Sequence, residues 1–536
     1  MNRARVLAVT AVLFGGVAAG SWLVQRAVAT RAMRGKSAIT EAQGARMFDA
    51  VLRRVEESWV DSISAEDLYE RASAGLVQQL GDPNTAFLTP ARLGRLREVV
   101  SGSYRGVGMS VDTRDGWITV IAPRPGSPAE RAGIRAGDRL IEIDGQAMKS
   151  WTIEEARNTL RGPLGSTVKL VIDRAGAKIP LTLERSDIHV RSVQRAAILD
   201  DHAGYAAVAS FTDSTNLEVA FTVDSLVRAG ATSLTLDLRN NPGGLLAQGV
   251  AVAELFLNPG QKVVSTKARV ATASASYTAT SAQRWPNLPI VVLVNGGTAS
   301  AAEIVAGALQ DHDRAIVIGR PSYGKGSAQA VIGLLNGSAL KITDALWYTP
   351  AGRSIDRAHP NHVAGAAPTD TTRPRYKTDK GRVVIGGGGI VPDLVVGDSV
   401  VPPAERAWVA AVGSRLQNFR DALSAYAAQV VKSGVVKDPD FKVTPAMRDG
   451  FWLAMKERKL NVPRDIFDEA HDAIDRVVGA EVAQQAFGVI GAQRRAVHLD
   501  PVVSQAVQLL HGVTVQSALF DRVAALNAAQ KPLAER

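Results

Sequence analysis

A hydroxyl and an amine twenty-five positions apart carry the strongest chemical signal in this chain. Ser300 lies in Leu293-Val294-Asn295-Gly296-Gly297-Thr298-Ala299-Ser300-Ala301-Ala302-Glu303-Ile304, and Lys325 in Ile316-Val317-Ile318-Gly319-Arg320-Pro321-Ser322-Tyr323-Gly324-Lys325-Gly326-Ser327-Ala328-Gln329. Each sits in a loop of small residues next to an apolar run. A serine hydroxyl needs a nearby base before it can attack. A lysine is that base only where burial keeps its amine neutral, and a tight glycine turn beside a buried strand is one way to bury it. A model lysine titrates near 10.4, whereas a useful base at neutral pH sits at roughly 7–8, a shift of about 3–4 kcal/mol.

Blander readings compete at each position. Ser300-Ala301-Ala302-Glu303 is a capping box before a helix with apolar positions at Ala301, Ile304, Val305, Ala308 and Leu309. Capping and chemistry are compatible, because a helix N-terminus offers free N–H groups to a developing oxyanion, with the N–H of Ala301 as the natural donor. A lone loop lysine is ordinarily a solvated charge. Gly319 to Lys325 also resembles a phosphate-binding loop, but Gly326 stands where Ser or Thr would hold magnesium, so the NTPase reading fails there. Asp311-His312-Asp313 invites a serine–histidine triad, yet His312 lies at the far end of the helix after Ser300, more than two turns away.

The elements around these loops alternate. Leu234–Arg239, Ile290–Val294 and Ala315–Ile318 read as buried strands, and Leu245–Leu257 and Ala301–Leu309 as helices. Such alternation implies an α/β core with ligands outside the carboxyl ends of the strands, and all three loops of interest follow strands in that way. Before this core, Phe48, Val51, Leu52 and Val55, then Leu68, Ala72, Leu76 and Leu80, mark two amphipathic helices closed by Gly81-Asp82-Pro83-Asn84. After it, from Pro402, the chain has helical spacing and no evident chemistry.

Composition narrows the classes. The 536 residues exceed one hydrophobic core. Net charge is +10, but basic residues are spread along the chain and aromatics are only 5%, which argues against a nucleic-acid surface. The absence of cysteine removes disulfides and thiol chemistry, and the eight histidines show no paired metal-ligand spacing, so no cofactor or metal is expected. Arg3 and Arg5 precede an uncharged stretch, Val6 to Val24, which as a helix would span about 28 Å of the roughly 30 Å hydrocarbon core. That length favours an uncleaved anchor over a signal peptide, although Ala27-Val28-Ala29 resembles a cleavage site. Export to the cell envelope or periplasm, tethered to the inner membrane, is the expectation.

From Ser101 to about Arg185 the succession of short strands, turns and helices resembles a PDZ domain. Gly137-Asp138-Arg139-Leu140 followed by Ile143-Asp144-Gly145 is the specific part, and Tyr104-Arg105-Gly106-Val107-Gly108 is similar to that family's carboxylate-binding loop. Successive backbone N–H groups freed by glycine would meet a terminal carboxylate while the peptide adds a strand to the sheet edge.

Taken together, the chain from about Thr40 to Asp393 resembles the carboxyl-terminal processing peptidases (tail-specific proteases), which use a serine–lysine dyad. The resemblance implies Ser300 as nucleophile, Lys325 as base and Gln329 as the residue that holds the lysine; a neutral amide can orient an amine without keeping its proton on. Leu236-Asp237-Leu238-Arg239-Asn240-Asn241-Pro242-Gly243-Gly244 matches the loop giving a second oxyanion donor, the N–H of Gly244. Tyr348-Thr349-Pro350-Ala351-Gly352-Arg353-Ser354-Ile355 and Gly389-Ile390-Val391-Pro392-Asp393 match two further signatures.

The expected organisation is a multidomain α/β protein. It comprises a signal anchor or signal peptide (1–36), an N-terminal helical domain (37–100), a PDZ domain (101–187), a crotonase-like α/β peptidase core (188–400) and a C-terminal helical extension (401–536). The partners implied are proteins with free C-termini, the membrane, and a second copy through the helical regions. The rival from another class is a catalytically silent PDZ scaffold, which retention of serine, lysine and glutamine together opposes.

Overall fold

A computed structural model describes residues 40–357, 373–397 and 401–530. The N-terminal segment 1–36 and most of the polar, Pro/Thr-rich stretch from Arg357 to Lys380, which reads from its composition as a surface insertion, lie outside the described residues. Among the described residues no helix is long and apolar enough to cross a membrane. Two compact units are distinguished, Met1–Phe87 and Leu88–Arg536.

In the first unit the helices Glu41–Ser58 and Ala65–Gln78 start at side-chain caps. Thr40 and Gln43 exchange the two bonds of a capping box, and Ser64 accepts from the Asp67 N–H. The apolar stripe of the first helix does not reach a core as its spacing suggests. Leu52 is buried, but Phe48 is 47% exposed and Val51 56% exposed. Leu76 and Leu80 are exposed as well, because two helices alone lack the extra layer that would cover both stripes.

The second unit begins with the helix Pro90–Ser101 and then the PDZ-like sheet. Its strands Met109–Arg114, Trp117–Pro123, Arg139–Ile143, Thr167–Arg174 and Ala177–Glu184 are hydrogen-bonded in that order. The helix Ile153–Leu160, capped by Thr152, closes over a core of Ile118, Leu140, Met148, Leu170 and Ile172. Asp138 of the Gly137-Asp138 turn is buried and is held by both Nε and Nη2 of Arg174 at 2.7 Å.

The α/β core is a six-stranded sheet in the order Val193–Ile198, Ala203–Val208, Ser233–Asp237, Ile290–Val294, Ile316–Gly319, Leu394–Val395. The first pair is antiparallel and every other pair is parallel. Alternate side chains divide between two faces, as a pleat requires. Leu234, Leu236, Ile290, Val292 and Val294 join the helices Thr215–Arg228, Leu246–Glu254 and Ala301–Asp311. Val291, Leu293, Ile316 and Ile318 face the helices Pro501–Leu510 and Gln516–Gln530.

The stretch expected as one C-terminal extension therefore divides in two. Its last two helices are a layer of the α/β core, while residues from Trp408 to Val482 build a helical core of their own. The helix His471–His498 joins the two and breaks at Gly488, whose φ of 71° and ψ of −172° only glycine adopts readily. The bundle grips the PDZ-like hairpin through polar contacts: Arg114 with Glu481 at 3.1 Å, and Gln417 Nε2 donating to the Thr113 carbonyl at 2.8 Å. A further sheet contains Ser327–Gly333, Ala339–Tyr348, Lys262–Ala268 and Ala275–Thr278, and Lys325 stands just before its first strand.

Candidate active site

Three loops meet at the carboxyl end of the parallel sheet, and their backbones are stitched to one another. Asn295 and Asn240 exchange two bonds: Asn295 Nδ2 donates to Asn240 Oδ1 at 3.0 Å, and the Asn240 N–H donates to Asn295 Oδ1 at 2.9 Å. The Ala299 N–H reaches the Asn241 carbonyl at 2.9 Å, and Thr298 Oγ1 donates to the Leu238 carbonyl at 2.8 Å. Asn241 Oδ1 holds the Gly243 N–H at 2.8 Å. The third loop joins through the Tyr323 N–H, which donates to the Thr298 carbonyl at 2.9 Å.

Ser300 sits where strand gives way to helix, at φ 55° and ψ −119°. A non-glycine residue in such a region costs on the order of 1–3 kcal/mol and persists only where its surroundings impose it. The Glu303 N–H donates to the Ser300 carbonyl at 2.8 Å. The glycine loop lies directly against the serine. A Cβ placed on Gly243 would fall 2.7 Å from Ser300 Cβ and 3.0 Å from the Ala301 nitrogen. Gly244, at φ 148°, runs so close to Phe211 that a Cβ there would meet the Phe211 carbonyl oxygen. Among the described residues the N–H groups of Gly244 and Ala301 donate to no protein acceptor.

The base loop is tied to the serine loop by one carboxylate. Glu303, fully buried, accepts the Ser300 N–H at 2.8 Å and the Lys325 N–H at 2.9 Å on the same oxygen, Oε2. The backbone nitrogens of Ser300 and Lys325 thus cannot be further apart than those two bonds laid end to end. Oε1 takes the Gly324 N–H at 2.7 Å and the Ser322 hydroxyl. Burial pushes the Glu303 carboxyl up, against the opposing effect of these four donors. Read as a helix cap, this glutamate's link to the lysine loop is not visible in local spacing; only a buried acid between two glycine-rich loops could have hinted at it.

Other expected residues are placed less directly. Lys325 is half-buried, not sealed. Its carbonyl accepts from Trp347 Nε1 at 3.1 Å. The Gln329 amide nitrogen donates to Ser327 Oγ at 3.0 Å and Thr343 Oγ1 at 3.2 Å, bonds that leave its carbonyl oxygen uninvolved. His312 is turned away, bonding Asp379 Oδ2 and the Lys262 carbonyl, both at 2.7 Å. Asp311 instead forms a buried pair with Arg353 of the Tyr348–Ile355 segment, and Gly389-Ile390 packs on the base loop, with the Ile390 N–H on Ser322 Oγ at 2.6 Å.

Residues 202–368 match the model of peptidase family S41, and residues 119–174 match that of the PDZ domain. A carboxy-terminal-processing protease of Bartonella bacilliformis is 37% identical over 314 residues, 58% of this chain and 71% of the relative. The carboxy-terminal processing protease CtpA of Bacillus subtilis is 33% identical over 323 residues, 60% of this chain and 69% of the relative. This chain belongs to the carboxy-terminal processing proteases.

In this protease the PDZ domain carries its own cleft, between the edge strand Met109–Arg114 and the helix Ile153–Leu160. Tyr104, Val107 and Gly108 of the expected loop line it. Arg105 does not: its side chain is exposed and points to Asp187, 3.5 Å away. Gly106 is in the strand Ser103–Gly106 that pairs with Ser186–His189 and supplies backbone only. At Gly108, φ is 76° and a Cβ would lie 2.3 Å from that of Ser127, so glycine is required.

Proposed function

We propose that this protease is a serine endopeptidase in which Ser300 attacks the substrate carbonyl and Lys325 takes the hydroxyl proton. The N–H groups of Gly244 and Ala301 receive the oxyanion, the protonated lysine returns its proton to the leaving amine, and water then hydrolyses the acyl-enzyme. One observation carries the reading: a single buried oxygen, Glu303 Oε2, holds the backbone of both Ser300 and Lys325. A carboxylate on the lysine amine itself would keep its proton on, whereas Glu303 acts on backbone N–H groups. Because Lys325 is half-buried, a bound substrate completes its desolvation, and Gln329, its amide nitrogen anchored on Ser327 and Thr343, orients the amine through its carbonyl oxygen.

The PDZ cleft captures the C-terminal tail of the substrate. The apolar stretch Val6–Val24 supports an exported protein tethered to a membrane, with the protease facing the periplasm or cell envelope. The exposed apolar side chains of the first helix, Phe48 and Val51 among them, support self-association through that region.

The test is cleavage of an unstructured protein with an apolar C-terminus by the full chain, Ser300→Ala and Lys325→Ala. Loss of activity in both variants with unchanged unfolding temperature is expected. Equal activity in all three ends the dyad assignment, and no activity in the wild type favours a silent tail-binding scaffold.

A further inference from the structure

The PDZ cleft encloses about 250 Å³. Its apolar lining is continuous with the domain core: Val107 and Leu160 are buried, and Met109, Val111 and Ile153 pack on the same cluster. Around that floor stand three arginines and no carboxylate, namely Arg124, Arg157 and Arg161. Arg161 is committed, with Nη1 on Glu98 at 2.7 Å and its guanidinium 5.0 Å from the Tyr104 ring centroid. The other two are not. Among the described residues neither Arg124 nor Arg157 has a side-chain hydrogen bond or ion pair, and Nε of Arg124 is shut off from solvent with no acceptor. Nε of Arg124 is thus a buried donor of a charged group left unsatisfied, which is costly, and the exposed Arg157 adds a second uncommitted cation at the rim, so the cleft is short of negative charge.

Their positions differ along the cleft. Arg124 marks the closed end: its own N–H donates to the Gly108 carbonyl at 2.9 Å, beside the glycine loop. The carboxyl end of the helix abuts the same loop, since a Cβ on Gly106 would lie 3.4 Å from the Leu160 carbonyl oxygen. Arg157 is one turn further back, about 5.4 Å along the helix axis. Two residues of an extended chain cover about 6.6 Å. A tail added to the edge strand Met109–Arg114 with its carboxylate at the loop therefore brings the side chain of its third-from-last residue opposite Arg157. The far end of that edge is already occupied, because Gln417 of the helical bundle donates to the Thr113 carbonyl. Only the last few residues of a tail can be read.

We propose that the cleft selects protein tails with an apolar last residue and an acidic third-from-last residue, Arg157 pairing with that side chain and Arg124 with the terminal carboxylate. The proposal rests on the tail-capture reading above and adds to it the charge pattern of the ligand. Bidentate or charge-assisted bonds from arginine to carboxylate supply the selectivity.

The experiment uses the full chain carrying Ser300→Ala and fluorescence anisotropy with labelled peptides. The peptides share an apolar last residue and carry Asp, Ala or Lys at the third-from-last position, and one Asp peptide is amidated at its C-terminus. The Asp peptide is expected to bind about 10-fold more tightly than the Ala peptide, with Lys weakest. Arg157→Gln should bring Asp and Ala together while leaving the Ala peptide unchanged, and Arg157→Glu should reverse the order of Asp and Lys. Arg124→Gln should weaken all three free-acid peptides but not the amidated one. Equal affinity for Asp and Ala peptides, or an Asp preference that survives Arg157→Gln, overturns the proposal while tail capture stands. If no free-acid peptide binds, tail capture itself fails. If Arg157→Gln leaves the peptides unaffected and instead dissociates an oligomer on gel filtration, a second copy fills the cleft and the proposal falls.

Discussion

Asp500 caps the helix Pro501–Leu510 and, with the same carboxylate, holds Arg239 at 2.8 Å, immediately before the loop that leads to Gly244. Arg239 also reaches Asp237 at 2.7 Å, and Asp237 receives the Tyr205 hydroxyl at 2.7 Å. Burial favours loss of the Arg239 proton, but the two carboxylates outweigh it and raise the group above its ordinary value. A helix far along the chain thus steadies the start of the loop that runs from Asn240 to Gly244. Asp500→Asn keeps a good helix cap and removes the charge. It should lower kcat by about 10-fold, or about 1.4 kcal/mol, with little change in KM. Steady-state cleavage of a tail-bearing substrate checks this, and an unchanged kcat would show that the loop is held without the pair.

Glu303→Gln should cost far more. The amide offers one acceptor oxygen where four donors now converge, so the Ser300 and Lys325 loops lose their common anchor. A fall in kcat of about 100-fold or more is expected, against a modest change in tail affinity. Single-turnover acylation in the variant is the measurement.

The same residue sets a pH dependence. Burial raises the folded-state value of the Glu303 carboxyl, with bonds from Ser322, Lys325, Gly324 and Ser300 opposing it. A group raised on folding contributes stability that is full below its unfolded value and lost as pH rises through the folded one. The wild type should therefore lose stability relative to Glu303→Gln as pH rises through the range above the ordinary glutamate value. Urea midpoints across that range test the sign; a relative gain would mean that the four donors outweigh burial.

Gly243→Ala should disturb both Ser300 and the fold around it. The residue has φ 92°, and the new methyl would press on Ser300 Cβ and the Ala299 carbonyl, each 2.7 Å away. Activity should fall by at least about 100-fold, and stability by more than the about 1–2 kcal/mol of positive φ strain, because the Ala299 carbonyl must shift as well. Comparing cleavage rate with thermal unfolding separates the two.

Asp311→Ala is the opposite case. Asp311 and Arg353 are both buried, and the Asp311 carboxylate also accepts the Ala351 N–H at 3.0 Å. Removing one partner strands a buried guanidinium and should cost about 3–5 kcal/mol. Chemical denaturation reads this directly, and a loss below about 1 kcal/mol would mean that solvent reaches Arg353.

Much of the site could be read from local pattern. The strands before Ser300 and Lys325 are continuous apolar runs, the one before Gly244 alternates leucine with Thr235 and Asp237, and the loops after all three are marked by glycine, so their convergence at one sheet end followed from α/β topology. The PDZ turns were equally plain, because Gly137-Asp138 and Asp144-Gly145 punctuate short strands. What was not legible depends on residues distant in the chain. Glu303 looks like an ordinary cap until the lysine loop folds over it. Asp500 is an unremarkable N-cap until Arg239 meets it. The stripe of Phe48 and Val51 has helical spacing whether or not anything covers it, and periodicity says nothing about the third layer. Arg105 and Gly106 were singled out with their loop, yet backbone pairing with Ser186–His189 turns the Arg105 side chain outward.

The back of the catalytic sheet, where Val291, Leu293, Ile316 and Ile318 lie under Pro501–Leu510 and Gln516–Gln530, has a consequence for how the molecule is made and destroyed. A ribosome that has just released residue 400 has produced every loop of the site but left one apolar wall wet. The enzyme therefore matures only once its final segments arrive, and a nick that frees those segments would silence it without touching any reacting group.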